Sequence, residues 1–198
     1  SPMSRGLGDV YKRQDEPINI DKNPDGLMAV AIDLGFPIIR SDKLNITIYA
    51  QAAKMLGKTQ DPDTGGEEPL GIGLIPFGVS SWFGPLHFIF EYRSIPEGKF
   101  EFSYWNRLYE IERVSFLRNN SNQVVLRTKE SQLGKFGDQN GYFSRVSLDV
   151  GAFFEANMAY NNMVGSLWSN DDKKFILEKN QTFLTCLLYT SDAADEWL

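Results

Sequence analysis

The stretch LHFIFEYRSIPEGKFEFSYW, residues 86–105, alternates apolar and polar side chains on both sides of a turn. Its apolar residues recur at every second position, before the turn (Leu86, Phe88, Phe90, Tyr92) and after it (Phe100, Phe102, Tyr104). Period-two alternation is the mark of a β-strand with one apolar and one wet face. Pro96-Glu97-Gly98 supplies residues suited to a tight turn. The stretch therefore predicts a β-hairpin.

The register of this hairpin follows from its turn. If Ile95 lies opposite Lys99, Arg93 faces Glu101 and Tyr92 faces Phe102. We therefore expect a cross-strand ion pair on the polar face and an aromatic pair on the apolar face.

Both ends of the chain match translated sequencing adapters. Residues 4–14 (SRGLGDVYKRQ) match an in-frame transposase-type adapter, and residues 186–196 (CLLYTSDAADE) match the complement of its partner. We therefore expect residues 1–14 and 186–198 to be adapter-derived, and residues 15–185 to be one domain cut at both ends. Cys186 is the only cysteine, so the remaining segment predicts no disulfide and no thiolate metal site.

Charge and composition narrow the function classes. The chain has 20 basic and 26 acidic residues, mixed along its length, with a net charge of −6. The absence of a basic run argues against nucleic-acid binding. No stretch approaches the ~20 apolar residues of a membrane helix. A single histidine argues against multi-histidine zinc sites. We expect no cofactor.

The same alternation predicts further strands. Including the two strands of the hairpin, six strands can be put in register, starting at Leu27, Lys43, Leu86, Lys99, Tyr142 and Phe153. Leu70–Val79 is a weaker prediction because Pro76 points to an edge, a bulge or a strand end. Phe175–Thr185 is predicted as the last strand, which gives about eight. Residues 117–141 are predicted as a long polar loop, and a helical turn at 50–56 remains open.

The predicted strands separate charged from apolar residues. The polar faces carry Asp33, Glu91, Arg93, Glu101, Arg145, Asp149 and Glu155. The apolar faces carry no charge and include Phe88, Phe90, Phe102, Leu148 and Met158.

The length of the predicted strands indicates that the apolar face contacts a lipid bilayer. The predicted strands are longer than the ~5–6 residues usual in globular proteins and match the ~9–11 residues of a membrane-spanning strand. Arg or Lys facing lipid at the midplane costs roughly 2–4 kcal/mol, which accounts for a face without charge. We expect an all-β antiparallel meander that forms a transmembrane β-barrel or part of one. Its polar residues would line a lumen and its apolar residues would contact outer-membrane lipid.

A soluble β-sandwich or β-meander acting as a binding module is the competing prediction, since its apolar face would enter a core. Two stacked sheets with Phe90 and Tyr104 buried between them would favour that alternative.

Several segments resemble a family of outer-membrane β-barrel proteins of Gram-negative bacteria known mostly from environmental sequences. They are DLGFP at 33–37, GIG at 71–73, FEYR at 90–93, GKFEFSYW at 98–105, YEIER at 109–113 and TKE at 128–130. The resemblance spans about residues 27–165 and implies location in the bacterial outer membrane. It implies no substrate and no functional residues.

Catalytic motifs are incomplete. His87 could serve a Ser-His dyad, but no Gly-x-Ser-x-Gly motif accompanies it. Glu91 and Glu101 could suggest glycosidase chemistry, whereas Arg93 between them favours a salt-bridge network. We therefore predict a non-enzymatic protein, either a pore, a passage for small solutes or lipid, or a structural surface protein. An outer-membrane hydrolase is a remote alternative.

Two further motifs have plainer interpretations. Asp61, Asp63, Gly65, Glu67 and Glu68 have oxygen ligands at calcium-loop spacing, but the full twelve-residue pattern is missing, so we predict a solvated acidic loop. The GIG segment at 71–73 lacks the third glycine of a dinucleotide site. It predicts close packing of backbone or aromatic rings instead.

Overall fold

The computed structural model describes residues 27–106, 111, 114–118, 124–151 and 153–189. In chain order the strands are β1 (Met28–Arg40), β2 (Leu44–Leu56), β3 (Lys58–Gln60), β4 (Glu67–Pro69), β5 (Ile72–Phe83), β6 (Leu86–Ile95), β7 (Val114–Arg118), β8 (Val124–Thr128), β9 (Phe136–Asp149), β10 (Phe154–Ser169) and β11 (Lys174–Tyr189). One four-residue helix, α1 (Glu130–Leu133), precedes β9. The predicted all-β class is confirmed.

Seven long strands form one antiparallel sheet, in the order β1-β2-β5-β6-β9-β10-β11. The short strands pair separately, β3 with β4 and β7 with β8. The predicted meander is therefore confirmed. The sheet is open, because β1 and β11 are its edges and do not pair with each other within the described ranges. Closure into a barrel stays a prediction.

The predicted hairpin at 86–105 is wrong in its second half. β6 ends at Ile95, and both Gly98 (φ 65°) and Lys99 (φ 54°) adopt left-handed backbone conformations. Two consecutive left-handed residues turn the chain out of the sheet. The Lys99 amide donates a 2.7 Å hydrogen bond to the Phe136 carbonyl, and the Lys99 carbonyl accepts a 3.0 Å bond from the Gly71 amide. β9 takes the predicted place of this segment and pairs with β6.

Other strand predictions need smaller corrections. β2 continues to Leu56, so the helical turn considered there does not form. β5 is a central strand, and the register shifts between Leu74 and Phe77, around Pro76, which confirms the bulge. β9 begins within the predicted loop and β10 extends beyond its predicted end. Most of the predicted continuation at 106–113 lies outside the described residues.

One face of the sheet, which we call the apolar face, is exposed across all seven strands. It carries Ile32, Leu34, Phe36, Ile48, Val79, Phe83, Phe88, Phe90, Tyr92, Tyr142, Val146, Leu148, Met158, Tyr160, Leu177 and Phe183, as the strand register dictates. Ile32 is 69% exposed, Phe83 63% and Leu177 78%. No second sheet covers this face in the part of the chain that the structure describes.

The opposite face, which we call the polar face, includes Asp33, Thr47, Ser80, Glu91 and Arg145. At one end it is covered by connecting segments that we call the loop cap, which comprises residues 57–71, residues 96–106 and α1. The buried cluster lies here and consists of Met55, Leu70, Ile95, Phe100, Tyr104, Leu133 and Met163. The hydrophobic core therefore joins the polar face to its loop cap, and the apolar face has no part in it.

The glycines at 71 and 73 allow this close packing, as predicted. A Cβ atom on Gly71 would lie 1.7 Å from the Gly98 carbonyl oxygen, and one on Gly73 would lie 2.1 Å from the Phe100 ring. Neither position accepts a larger residue while the loop cap keeps its place.

Candidate functional site

The register brings six of the seven predicted polar residues to the polar face. They are Asp33, Glu91, Arg93, Arg145, Asp149 and Glu155. Four of the five predicted lipid-facing residues, namely Phe88, Phe90, Leu148 and Met158, share the apolar face. What each face contacts stays a prediction.

Glu101 and Phe102 are the exceptions, because the segment predicted to hold them in a strand folds into the loop cap. Phe102 lies near the polar face, with the Arg93 guanidinium 4.8 Å from its ring centre. It therefore does not share a face with Phe88. Glu101 lies 3.8 Å from the Lys129 ammonium, so the predicted Arg93–Glu101 pair is wrong.

The ion pair that forms instead joins neighbours on one strand. Arg93 donates hydrogen bonds of 2.6 and 2.7 Å to one oxygen of Glu91, two residues earlier on β6. The other oxygen of Glu91 accepts a 2.6 Å bond from the Tyr49 hydroxyl on β2. The Tyr49 ring reaches across β5 because Gly78 lies beneath it, where a Cβ atom would be 2.5 Å away. One buried carboxylate thus connects β2 to β6 across the intervening strand β5.

The Arg93 guanidinium also packs between aromatic rings. Its central carbon lies 3.9 Å from the centre of the Phe143 ring, on the side of the sheet that carries Glu91. Cation–π contact of this kind is worth more where water is excluded. Arg93 is therefore held by a carboxylate and two rings.

Arg145 occupies the middle of the polar face without such an arrangement. Its Nε atom is buried and has no hydrogen-bond partner within the described residues. Ile89 and Ala159 flank it on the neighbouring strands. Arg145 therefore contributes a positive charge to the centre of this face.

The polar face is acidic at the end opposite the loop cap. Asp149 and Glu155 lie directly opposite each other next to the β9–β10 turn. The Gly151 amide donates a 2.9 Å bond to Asp149, and the Asn157 side chain donates a 2.7 Å bond to Glu155. These partners hold two like charges at the same rim of the sheet.

Ser80 and His87 form a pair that the sequence analysis missed. The Ser80 hydroxyl lies 2.9 Å from Nε2 of His87, and the Trp82 ring stacks on the imidazole at 3.8 Å. The short β5–β6 turn brings them together on the polar face. A Ser-His catalytic pair needs a third group that orients the imidazole, and no hydrogen bond to Nδ1 is present in the described structure. The geometry is therefore that of a hydrogen bond between two polar-face residues, without the arrangement of a catalytic dyad.

Three carboxylates of the acidic loop already have hydrogen-bond or ion-pair partners in the protein. Asp61 accepts hydrogen bonds from the amides of Asp63 (2.7 Å) and Thr64 (3.2 Å), and these bonds lower the pKa of its carboxyl. Glu67 pairs with Lys58 at 3.0 Å, and Glu68 pairs with Lys99. Among the described residues no group of three or more His, Cys, Asp or Glu side chains could hold a metal ion.

A cavity of about 380 Å³ lies between the loop cap and strands β9–β11. Phenylalanine rings and neutral amides form much of its wall, with Gln139 and Asn161 among the amides. Sequence reasoning missed this cavity because residues 100–102, which form one wall, were assigned to a strand.

Comparison with known proteins adds no relative. No protein-family model, curated protein or solved structure matches the chain significantly. In the described ranges, no helix has both the length and the apolar character needed to cross a membrane.

Proposed function

We propose that this chain is an outer-membrane β-barrel protein, or part of one, with a non-enzymatic role in the passage of small solutes. The observation that carries the proposal is the apolar face, which extends over seven strands and leaves many of its large side chains exposed. Monomeric soluble proteins rarely expose a contiguous apolar patch larger than a few hundred Å². Hydrocarbon chains are a solvent that would stabilise such a face.

Strand dimensions support the same proposal. The seven strands of the sheet have 10 to 16 residues, and a membrane-spanning strand needs ~9–11. The connections at one end are short, with two residues between β5 and β6, while the loop cap occupies the other end. Short turns at one rim and longer loops at the other are typical of outer-membrane barrels.

The polar face would then line the lumen. Its buried carboxylate Glu91 is satisfied by Tyr49 and Arg93, so this wall does not require an apolar layer against it. Arg145 and the Asp149–Glu155 rim would place charges of both signs along a water-filled path.

Membrane placement can be tested with nitroxide labels on adjacent residues of β9. Val146→Cys lies on the apolar face and Ser147→Cys on the polar face, both in a Cys186→Ser background. We expect the label at 146 to collide more with oxygen, which concentrates in lipid, when the protein is in phospholipid vesicles. The label at 147 should collide more with a water-soluble nickel chelate. Power-saturation electron paramagnetic resonance measures both.

Equal collision patterns at 146 and 147, or a protein that folds in buffer and stays off the vesicles, would contradict membrane placement and favour a soluble β-module.

The passage role has a separate test. We expect the purified protein to produce stepwise ion currents in planar bilayers, because a lumen lined by charged residues holds water. Heat-unfolded protein is the control. Absence of current from vesicle-inserted protein would contradict the pore but leave membrane placement unaffected.

A hydrolase is the second candidate, favoured by the Ser80–His87 hydrogen bond. It predicts ester cleavage that Ser80→Ala removes. The missing orienting group makes it the weaker proposal.

A further inference from the structure

We infer that the cavity beneath the loop cap binds a small neutral ring-shaped solute of the pyranose sugar type. This inference deepens the proposed function and rests on it, since a solute-specific site lies on the lumen side of the sheet.

The size and walls of the cavity suit a small ligand. Its volume of about 380 Å³ lies near the lower end of the ~300–1,000 Å³ typical of ligand pockets. Phe100, Phe102, Phe136 and Phe143 contribute to its lining. The flat C–H faces of a sugar ring pack well on such aromatic surfaces.

Two amides in the cavity wall have unused hydrogen-bonding atoms. Gln139 is 5% exposed, and its Nε2 donor has no partner in the described structure. The Oδ1 acceptor of Asn161 is also buried without a partner. A buried unsatisfied polar group is costly, so a ligand that satisfies both would be favoured. One hydroxyl group of such a ligand can accept from Gln139, and another can donate to Asn161.

The charged residues that line the cavity already have partners. Arg93 is paired with Glu91 and contacts the rings of Phe102 and Phe143. Glu101 lies 3.8 Å from Lys129. A charged ligand would therefore lose its hydration without gaining an unpaired counter-charge, which selects for a neutral one.

Binding can be tested by saturation-transfer difference NMR on the protein in phosphocholine micelles, with methyl β-D-glucopyranoside as the probe. We expect a transfer signal that glucuronate, the charged analogue, does not match at equal concentration. Gln139→Met should weaken binding roughly fivefold through loss of one hydrogen bond. Gln51→Met is its control, because Gln51 is on the polar face outside the cavity wall.

A blocking variant provides the second comparison. Ala159→Phe should fill the cavity and abolish the signal, whereas Ala156→Phe, on the apolar face of the same strand, should retain it. Circular dichroism establishes that each variant is folded.

No signal with the unmodified protein, equal signals from the two alanine variants, or equal binding of glucuronate would overturn the inference. None of these results would alter the nitroxide or conductance outcomes, so failure of this site is distinguishable from failure of the proposed function.

Discussion

Ile48→Lys is expected to destabilise the protein in a bilayer, lowering its free energy of unfolding by roughly 2–4 kcal/mol, the cost of a lysine facing lipid near the midplane. Ile48 is on the apolar face, between Phe36 of β1 and Val79 of β5. It lies in the same cross-strand row as Phe90, halfway along the ten-residue strand β6. Urea titration of the protein in phospholipid vesicles measures the change.

Thr47→Lys is the matched control. Thr47 precedes Ile48 on β2, is also half-buried and β-branched, and belongs to the polar face. A lysine there would enter the wet interior, so we expect less than half the loss seen at position 48. Equal losses at 47 and 48 would contradict a bilayer on one side only and remove the main support for the barrel.

The division of residues between two faces was predictable because it depends on local alternation alone. Period-two spacing fixes which residues share a face once the strand is identified. It therefore placed Asp33, Arg145 and Glu155 together across strands far apart in the sequence. The prediction did not need the strand order to be known.

The second half of the central hairpin could not be predicted from the same pattern. Phe100, Phe102 and Tyr104 alternate like a strand, yet Phe100 and Tyr104 are buried in the loop cap. Alternation records only that every second residue avoids water. The deciding features are a second left-handed residue at Lys99 and the space above Gly73, which is distant in sequence.

The lengths of β9 and β10 were underestimated, because pairing with neighbouring strands overrides local propensity. Residues 137–141 (GDQNG) favour turns, yet they form part of β9 because β6 and β10 pair with it on both sides. Extending β10 places Tyr160 in the middle of the strand, in the same row as Phe90. Aromatic residues are therefore not confined to the ends of the apolar face.

The salt-bridge network predicted around Arg93 forms with Glu91 and not with Glu101, for a simple reason. Glu91 and Arg93 are two residues apart, so they are neighbours on one face of one strand, and no cross-strand partner was required. The Tyr49 contact depends on Gly78, which belongs to a strand that was weakly predicted. Spacing within β6 was the signal that could have favoured Glu91 over Glu101 as the partner of Arg93.

Glu91→Leu is expected to cost roughly 3–5 kcal/mol of folding free energy, since it leaves the Arg93 charge buried without its carboxylate. The side chains of Glu91 and Arg93 are only 10% and 14% exposed. Glu97→Leu is the control, because its pair with Lys54 is 65% and 37% exposed and such pairs contribute ~0–1 kcal/mol. Urea titration in vesicles compares the two.

The double variant Glu91→Leu, Arg93→Met decides how the loss arises. Replacing both members of a buried ion pair with apolar residues is often neutral or stabilising, because no uncompensated charge remains. We therefore expect the double variant to recover most of the stability lost in Glu91→Leu. If it recovers none, Glu91 stabilises the sheet mainly through its hydrogen bond with the Tyr49 hydroxyl, which joins β2 to β6, and not through its ion pair with Arg93. A Glu91→Leu loss no larger than that of Glu97→Leu would show instead that water reaches Arg93.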